Sequence, residues 1–454
     1  MYKNRKNCKK HHLLLMLFCC ALPFYSGFSL PEISEISLDC IDCHKQDDPS
    51  IYEHWTNSVH AKENIGCFEC HGAERRSPGS FLHNREWIKT VVSPRDCARC
   101  HEKEVEQFSR SRHAKAFDLL GDKQTELAET MQGGKTFRTP AFRQGVSPAA
   151  VSGCQSCHGS EIKMNRDTPD SATWPNTGIG RINPDGSRGA CSACHGRHSF
   201  SKAQAREPES CARCHSGPDH SQFEIYQESK HGAFFRHERE NMQLTNAKWI
   251  LGEDYHAAPN CATCHISANT KDEVTHDIGE RISWNNRGTV SIKSDAADAE
   301  RGFENPLRWQ RRKANMQKLC QHCHNSNFVR SFYEQYDAMV ELYNDKYGKP
   351  GERLYELAKP LFTGPEFANR LSFIWYEMTN FAGRRARHGA AMMGPVHTHW
   401  LGTYELGKKW ATEFIPEITR LIESKKSSMP EQTQALEQEL ERVMSNELHK
   451  WMKP

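Results

Sequence analysis

A mainly α-helical fold, turn-rich to about residue 325 and helical beyond it, is what the 454-residue sequence predicts. Three observations carry the expectation. Sixteen of the nineteen cysteines fall in eight Cys-x-x-Cys-His pentads, beginning at Cys40, Cys67, Cys97, Cys154, Cys191, Cys211, Cys261 and Cys320. Only 37% of the residues are hydrophobic, low for a chain of this size. Beyond Cys320 the apolar residues adopt a helical period.

The chain opens with Lys3, Arg5, Lys6, Lys9 and Lys10, an apolar run from Leu13 to Phe24, and small or polar residues at Ser26, Gly27 and Ser29. This pattern reads as a signal peptide over residues 1–29, too short in its apolar part to span a membrane. Export to the periplasm is the expectation.

Residues 30–325 carry the pentads, 20 to 59 residues apart and therefore no simple repeat. Cys-x-x-Cys-His is the attachment signature of c-type heme. The pairs Cys40/Cys43, Cys67/Cys70, Cys97/Cys100, Cys154/Cys157, Cys191/Cys194, Cys211/Cys214, Cys261/Cys264 and Cys320/Cys323 are the candidate thioether positions. The adjoining His44, His71, His101, His158, His195, His215, His265 and His324 are the candidate proximal iron ligands. Zinc sites do not need a histidine after every second cysteine, and disulfide frameworks do not space their cysteines in this way. The sequence thus predicts eight covalently attached c-type hemes, which form much of the core. Segments such as Asp167–Ser171 and Asn183–Ser187 are loops.

Residues 326–454 form the predicted helical region. Helical periodicity covers residues 327–347, 364–379 and 406–424, with Pro416 expected to kink or break the third. A last helix over 431–451 places Leu436, Leu440, Val443, Leu448 and Trp451 on one stripe, which suits core packing, with an oligomer seam as the alternative, and is too short for a long coiled coil.

The precursor has a formal charge of +3. Loss of the signal and addition of two propionates per heme take the holoprotein to a net charge on the order of −18, which excludes nucleic acid as a partner. Nothing in the chain oxidises quinol within a membrane, so a membrane-anchored multiheme cytochrome is the expected electron donor.

Besides the two histidines of the signal and the eight that close the pentads, fifteen remain, enough either for eight distal ligands or for seven with one iron open. His60, His113 and His231 share a Ser-x-His-small setting, as repeatedly used ligands do. His322 lies inside a pentad and is a poor candidate.

Several longer stretches resemble the octaheme hydroxylamine oxidoreductases: Phe381–Pro395 with Trp400 after it, Cys211–His220, Glu224–Gly232, Ala258–His265 and Thr275–Arg281. The resemblance implies seven bis-histidine hemes and a five-coordinate fourth heme on Cys154, Cys157 and His158. It implies His60, His83, His113, His198, His231, His256 and His276 as the distal ligands. His54, His237, His388 and His449 are then ordinary histidines. The family's catalytic Asp-His pair falls on Asp219 and His220, for which the residue-level alternative is an eighth distal ligand with a supporting carboxylate. A homotrimer is also implied.

One departure redirects the functional expectation. After Met392-Met-Gly-Pro395, hydroxylamine-oxidising members carry Asp-Tyr, whose tyrosine crosslinks to a neighbouring subunit's heme; this chain has Val396-His397. The sequence therefore resembles the tyrosine-lacking, reductive branch. The expected activity is reduction of a small nitrogen oxide, nitrite first and hydroxylamine or nitric oxide as further candidates, to ammonium. His220 would act as proton donor, with Asp219 orienting it and raising its pKa. His397 or His399 from a neighbouring subunit is a second candidate donor. Oxidation of hydroxylamine or hydrazine, and non-catalytic electron carriage, are the alternatives.

Overall fold

Three of the pentads form one-turn helices, in which residues i, i+3 and i+4 share a face and so bring two cysteines and a histidine to the same side. Such turns are seen at Cys67–His71, Cys154–His158 and Cys261–His265. The computed structural model describes residues 32–452 apart from 119, 121–126, 130–133, 135, 137, 139, 141–142 and 144. The signal peptide expected over residues 1–29 lies outside the described residues.

The fold is mainly helical with few short strands. Three two-stranded antiparallel hairpins are present among the described residues, the longest pairing Ser80–His83 with Glu86–Lys89. Its two-residue turn, Asn84-Arg85, has both residues at positive φ (45° and 73°), the conformation that matches strand twist. The first helix, Glu35–Asp47, is tied to the second pentad through Glu69, which accepts from the Ser34 and Ser37 hydroxyls at 2.7 and 2.8 Å.

Apolar packing is distributed unevenly. Before Ile225 the described buried hydrophobic residues are Val91, Ala114, Ala116, Val146, Ile162 and Ala190, and none belongs to the three apolar clusters. Buried polar side chains do much of the joining there. Arg181 donates to the carbonyls of Asn176 and Val92 and to Asn183 Oδ1, while Asp298 accepts from both Arg112 (2.8 Å) and Arg312 (2.6 Å).

The C-terminal region differs from the periodicity reading in three places. The helix Ser326–Tyr343 does not stop near 347 but continues through a widened π-type turn, Asn344–Gly348, into Lys349–Ala358. The second helix starts at Arg370 rather than 364, because Asn369 accepts from and donates to the 363–366 turn, and it then runs on to Ala391. Pro416 breaks nothing. It sits in the first turn of Ile415–Lys425, directly after the π-type turn Trp410–Phe414, whose altered hydrogen bonding takes up the missing N–H and the ring.

The last helix, Pro430–Ser445, buries Leu436 and Val443 and packs Leu440 against the same cluster. It ends before Trp451, which is exposed, and His449 takes the inner position instead. That ring stacks on Trp410 at 5.0 Å, and Trp410 stacks on Phe414 at 5.2 Å. No described helix is long and apolar enough to cross a membrane.

Trp410 is fully buried at the centre of this cluster. Trp410→Ala should destabilise the chain by about 3–5 kcal/mol. A thermal unfolding midpoint equal to that of the unaltered protein would contradict this packing.

Candidate active site

Six of the eight pentad histidines face a second histidine ring at nearly constant spacing. His44 faces His83, His71 faces His198, His101 faces His60 and His158 faces His220, each with ring centroids 6.2 Å apart. His324 faces His231 at 6.1 Å, and His215 faces His113 at 6.0 Å. A metal–imidazole bond of about 2 Å on each side, with each ring centre about 1 Å beyond its nitrogen, puts two axial rings on one iron roughly 6 Å apart. The residues present therefore fit iron between each pair.

Local sequence explains how the rings are delivered. In the Ser-x-His segments, Ser58 and Ser229 are N-caps, accepting from the Ala61 and Gly232 amides at 3.0 and 3.1 Å, so His60 and His231 stand in a first helical turn. The small residue is required too: a Cβ on Gly232 would lie 2.0 Å from the Tyr226 carbonyl. One hairpin serves two pentads, for its first strand carries His83 and its Lys89 carbonyl accepts from His71 Nδ1 at 2.8 Å. Ala116 does the same for His158 at 2.8 Å. An Nδ1–H fixed in this way leaves Nε2 free to bind a metal.

Two pentad histidines lie outside the six close pairs. Burial and then the neighbouring His276 hold His195 down to about 4, so His276 is the ring acting most strongly on it. His256, the sequence candidate for a seventh distal ring, has an exposed side chain, and its carbonyl accepts from the Cys323 thiol at 3.7 Å. The structure does not bring it into a close ring pair with His265.

Within the polypeptide itself Cys43, Cys100 and Cys323 are exposed, each the second cysteine of its pentad, whereas Cys40, Cys97 and Cys320 are partly buried. Cys43 stands on the helix Glu35–Asp47, and Cys100 lies in the turn between Pro94–Cys97 and Glu102–Arg110.

The pentads also touch one another. Cys97 meets Cys191, Cys157 meets Cys214 and Cys211 meets Cys261, thiol to thiol. The fourth pentad thus abuts the sixth, and the sixth abuts the seventh.

The His158–His220 pair differs from the others in what stands behind its second ring. His220 Nδ1 lies 2.8 Å from Asp219 Oδ2. Among the five other facing rings, none has a carboxylate partner among the described residues. Burial pushes the Asp219 carboxyl up, but the bond to His220 and the charges of His220 and Arg384 outweigh it and hold the group below the usual carboxylate range. The buried Arg384 donates to the Asp219 carbonyl at 2.8 Å and lies 4.0 Å from Oδ2.

Sequence reasoning set His388 aside, yet it lies beside this pair, its Nδ1 3.2 Å from Gln222 Nε2. Burial and then the cations Arg384, Arg387 and Arg287 keep it well below its ordinary value. Tyr376, whose hydroxyl is raised by burial and then by Asp219, stands on the same side near Cys154. Arg384 and His388 lie within the arginine-rich run 383–388, and that run was the available signal.

His397 is not placed to serve a pocket in another subunit. It is buried in its own chain, with its backbone N–H donating to Glu228 Oε1 at 3.1 Å and its Nδ1 2.9 Å from Oε2. Gly394 closes against the same carboxylate.

The pentads, the one-turn helices that carry them and the facing imidazoles define a c-type cytochrome that binds several covalent hemes. Residues 183–344 match the family model "Seven times multi-haem cytochrome CxxCH", and residues 96–158 match "Cytochrome c554 and c-prime". The chain is 26% identical over 346 residues to a probable nitrite reductase–hydroxylamine oxidoreductase fusion protein of Kuenenia stuttgartiensis. That match covers 66% of this chain and 35% of the relative, so the chain spans about a third of that protein.

Two solved structures share the fold. A hypothetical multiheme protein superposes with a TM-score of 0.73 at 24% identity, over 88% of this chain and 98% of its own. A reducing HAO-like protein complex of Kuenenia stuttgartiensis gives 0.57 at 18% identity, over 87% of each chain. The protein is a multiheme c-type cytochrome, similar at a distance to that nitrite reductase–hydroxylamine oxidoreductase fusion protein.

A Cβ added to Gly394 would lie 2.5 Å from Glu228 Oε1 and 2.6 Å from Ile225 Cγ2. Gly394→Ala should therefore push Glu228 off His397 and destabilise the protein by about 1–3 kcal/mol. Thermal unfolding checks this, and an unchanged midpoint would contradict the lock.

Proposed function

We propose that this protein is a periplasmic octaheme c-type cytochrome that reduces nitrite to ammonium at the fourth heme, with hydroxylamine and nitric oxide as further substrates. The observation that carries the reading is the Asp219–His220 pair standing opposite His158. The seven remaining pentads hold electron-transfer hemes, with His60, His83, His113, His198 and His231 as distal ligands on the ring pairs and His276 beside His195. The relative named as a nitrite reductase fusion adds support, as does Val396-His397 where hydroxylamine-oxidising proteins carry Asp-Tyr.

Cys154, Cys157 and His158 would hold the catalytic heme, which when bound supplies an iron able to bind the substrate nitrogen and pass it electrons. The chain's own residues manage the protons. Asp219 accepts from Nδ1 of His220 and so fixes the tautomer, leaving Nε2 as the nitrogen that delivers a proton to the departing oxygen. Arg384 anchors Asp219 through its carbonyl and, after His220 itself, holds its carboxyl below the usual range. The contact of Cys157 with Cys214 makes the sixth pentad the immediate electron source.

A second reading, non-catalytic electron carriage, is favoured by one observation: the His158–His220 spacing equals that of the other pairs, as it would if His220 were a sixth ligand. The resting ferric spectrum separates the two. A high-spin heme fits the enzyme; eight low-spin hemes fit the carrier. His220→Ala should keep its full heme complement and lose roughly a hundredfold or more in nitrite turnover, the scale of a general acid. Ammonium production at the unaltered rate would remove His220 from the mechanism.

The homotrimer and a membrane-anchored multiheme cytochrome as electron donor complete the proposal. Val396, Trp400 and Tyr404 recur every fourth residue along Pro395–Tyr404 and are exposed together with Met393 and Leu401. An exposed apolar stripe of this kind suits a contact between copies of the chain. Trp400→Glu should convert the trimer to a monomer in sedimentation velocity; an unchanged sedimentation coefficient would place the subunit contact elsewhere.

A further inference from the structure

We infer that Arg287 is the anion-binding residue of the distal pocket, the group that takes the nitrite oxyanion beside Asp219 and His220. The inference rests on the reading of the fourth heme as catalytic.

The position follows from how its loop is pinned. Residues 286–291 connect the short strands Trp284–Asn285 and Ile292–Lys293. The Arg287 amide donates to Asn285 Oδ1 at 3.1 Å, and Tyr343 Oη donates to the Thr289 carbonyl at 2.9 Å. Gly288, at φ +81°, makes the turn, and its carbonyl accepts from Arg387 Nη2 at 3.4 Å. Arg387 stands one helical turn after Arg384, which holds the Asp219 carbonyl. A single turn of helix thus grips both the loop carrying Arg287 and the residue orienting His220. The Arg287 charge accordingly acts on His158, His215, His113 and His388, four rings grouped around the fourth and sixth pentads.

What is unusual is the lack of a partner. Arg384 binds Asp219 and Asn380, Arg387 binds Ser291 and three carbonyls, and Arg112 binds Asp298. The Arg287 guanidinium has neither ion pair nor hydrogen bond among the described residues. Burial and the cations Arg384, Arg112 and Arg301 push it down to about 9, with Asp219 alone opposing them. A half-buried guanidinium with other cations around it is stabilised by an anion placed against it. Its planar fork matches two oxygens held on one atom, the arrangement of nitrite and equally of a carboxylate. The carboxylate source is a heme propionate, and the experiment separates the two.

Resting ferric holoprotein is titrated with nitrite and azide, both anions, and with nitric oxide, a neutral ligand, following the high-spin heme by optical and paramagnetic resonance spectra. Arg287→Gln should weaken both anions by about tenfold or more and leave nitric oxide within about twofold, since one charge-assisted bond is lost. Arg287→Lys, which keeps the charge without the fork, should fall between, and serves if the glutamine variant fails to load its hemes. Equal nitrite affinity in the variants and the unaltered protein overturns the assignment. Equal loss for anions and nitric oxide, with shifted heme midpoint potentials, overturns it in favour of a propionate. If the unaltered protein binds none of the three ligands, the catalytic reading itself fails and this inference with it.

Discussion

The constraint on which the rest of the structure depends is the distance between two imidazoles. A pentad fixes one ring through its own helical turn, but the second ring must arrive from elsewhere in the chain at a centroid spacing near 6 Å, and this happens six times. The sequence separations are large: His71 is met by His198, and His113 by His215. Such pairings cross-link the first 325 residues in a way that a conventional apolar core does elsewhere. This accounts for how few hydrophobic side chains before Ile225 are buried against one another, and why arginines bonded to carbonyls occupy the interior there.

The same constraint makes the fourth site stand out. All six pairs have similar spacing, so distance alone does not give His220 a separate role. Its supports do. Among the pentad histidines the orienting acceptor is a backbone carbonyl for His71 and His158 and the Asp48 carboxylate for His44, whereas the rings facing them, His220 apart, have no carboxylate partner among the described residues. His220 has a carboxylate instead, itself held by a buried arginine. A carboxylate stabilises the protonated ring far more than a carbonyl does, which suits a group that must gain and release a proton. The Asp219 charge lies beside Arg384, and Arg287 is close enough to feel it.

Much of the cofactor framework was legible in the sequence because Cys-x-x-Cys-His is local: all its residues lie within one helical turn. The Ser-x-His-small segments were legible for the same reason, since the serine is an N-cap and the small residue relieves a close approach. Ring pairing was not legible, since it depends on contacts between residues up to 127 positions apart, as for His71 and His198. His397 shows the same limit. Its neighbour in sequence is an exposed valine, whereas its partner Glu228 lies 169 residues away.

The helix that carries Arg384 shows why its role in particular escaped periodicity. Leu371, Ile374, Trp375 and Met378 face the C-terminal apolar cluster, and a uniform helix would keep the positions that follow in phase with them. The π-type turn Glu377–Ala382 adds a residue and rotates the face by about 100°. After it, Arg384 and Arg387 are buried where a charged run would ordinarily face water. They hold Asp219 on one side and the 286–291 loop on the other. The widened turn thus lets one helix serve two interiors of opposite chemistry, an apolar cluster at its start and a polar, cationic pocket at its end. The second of these is where Asp219 and His220 stand opposite His158.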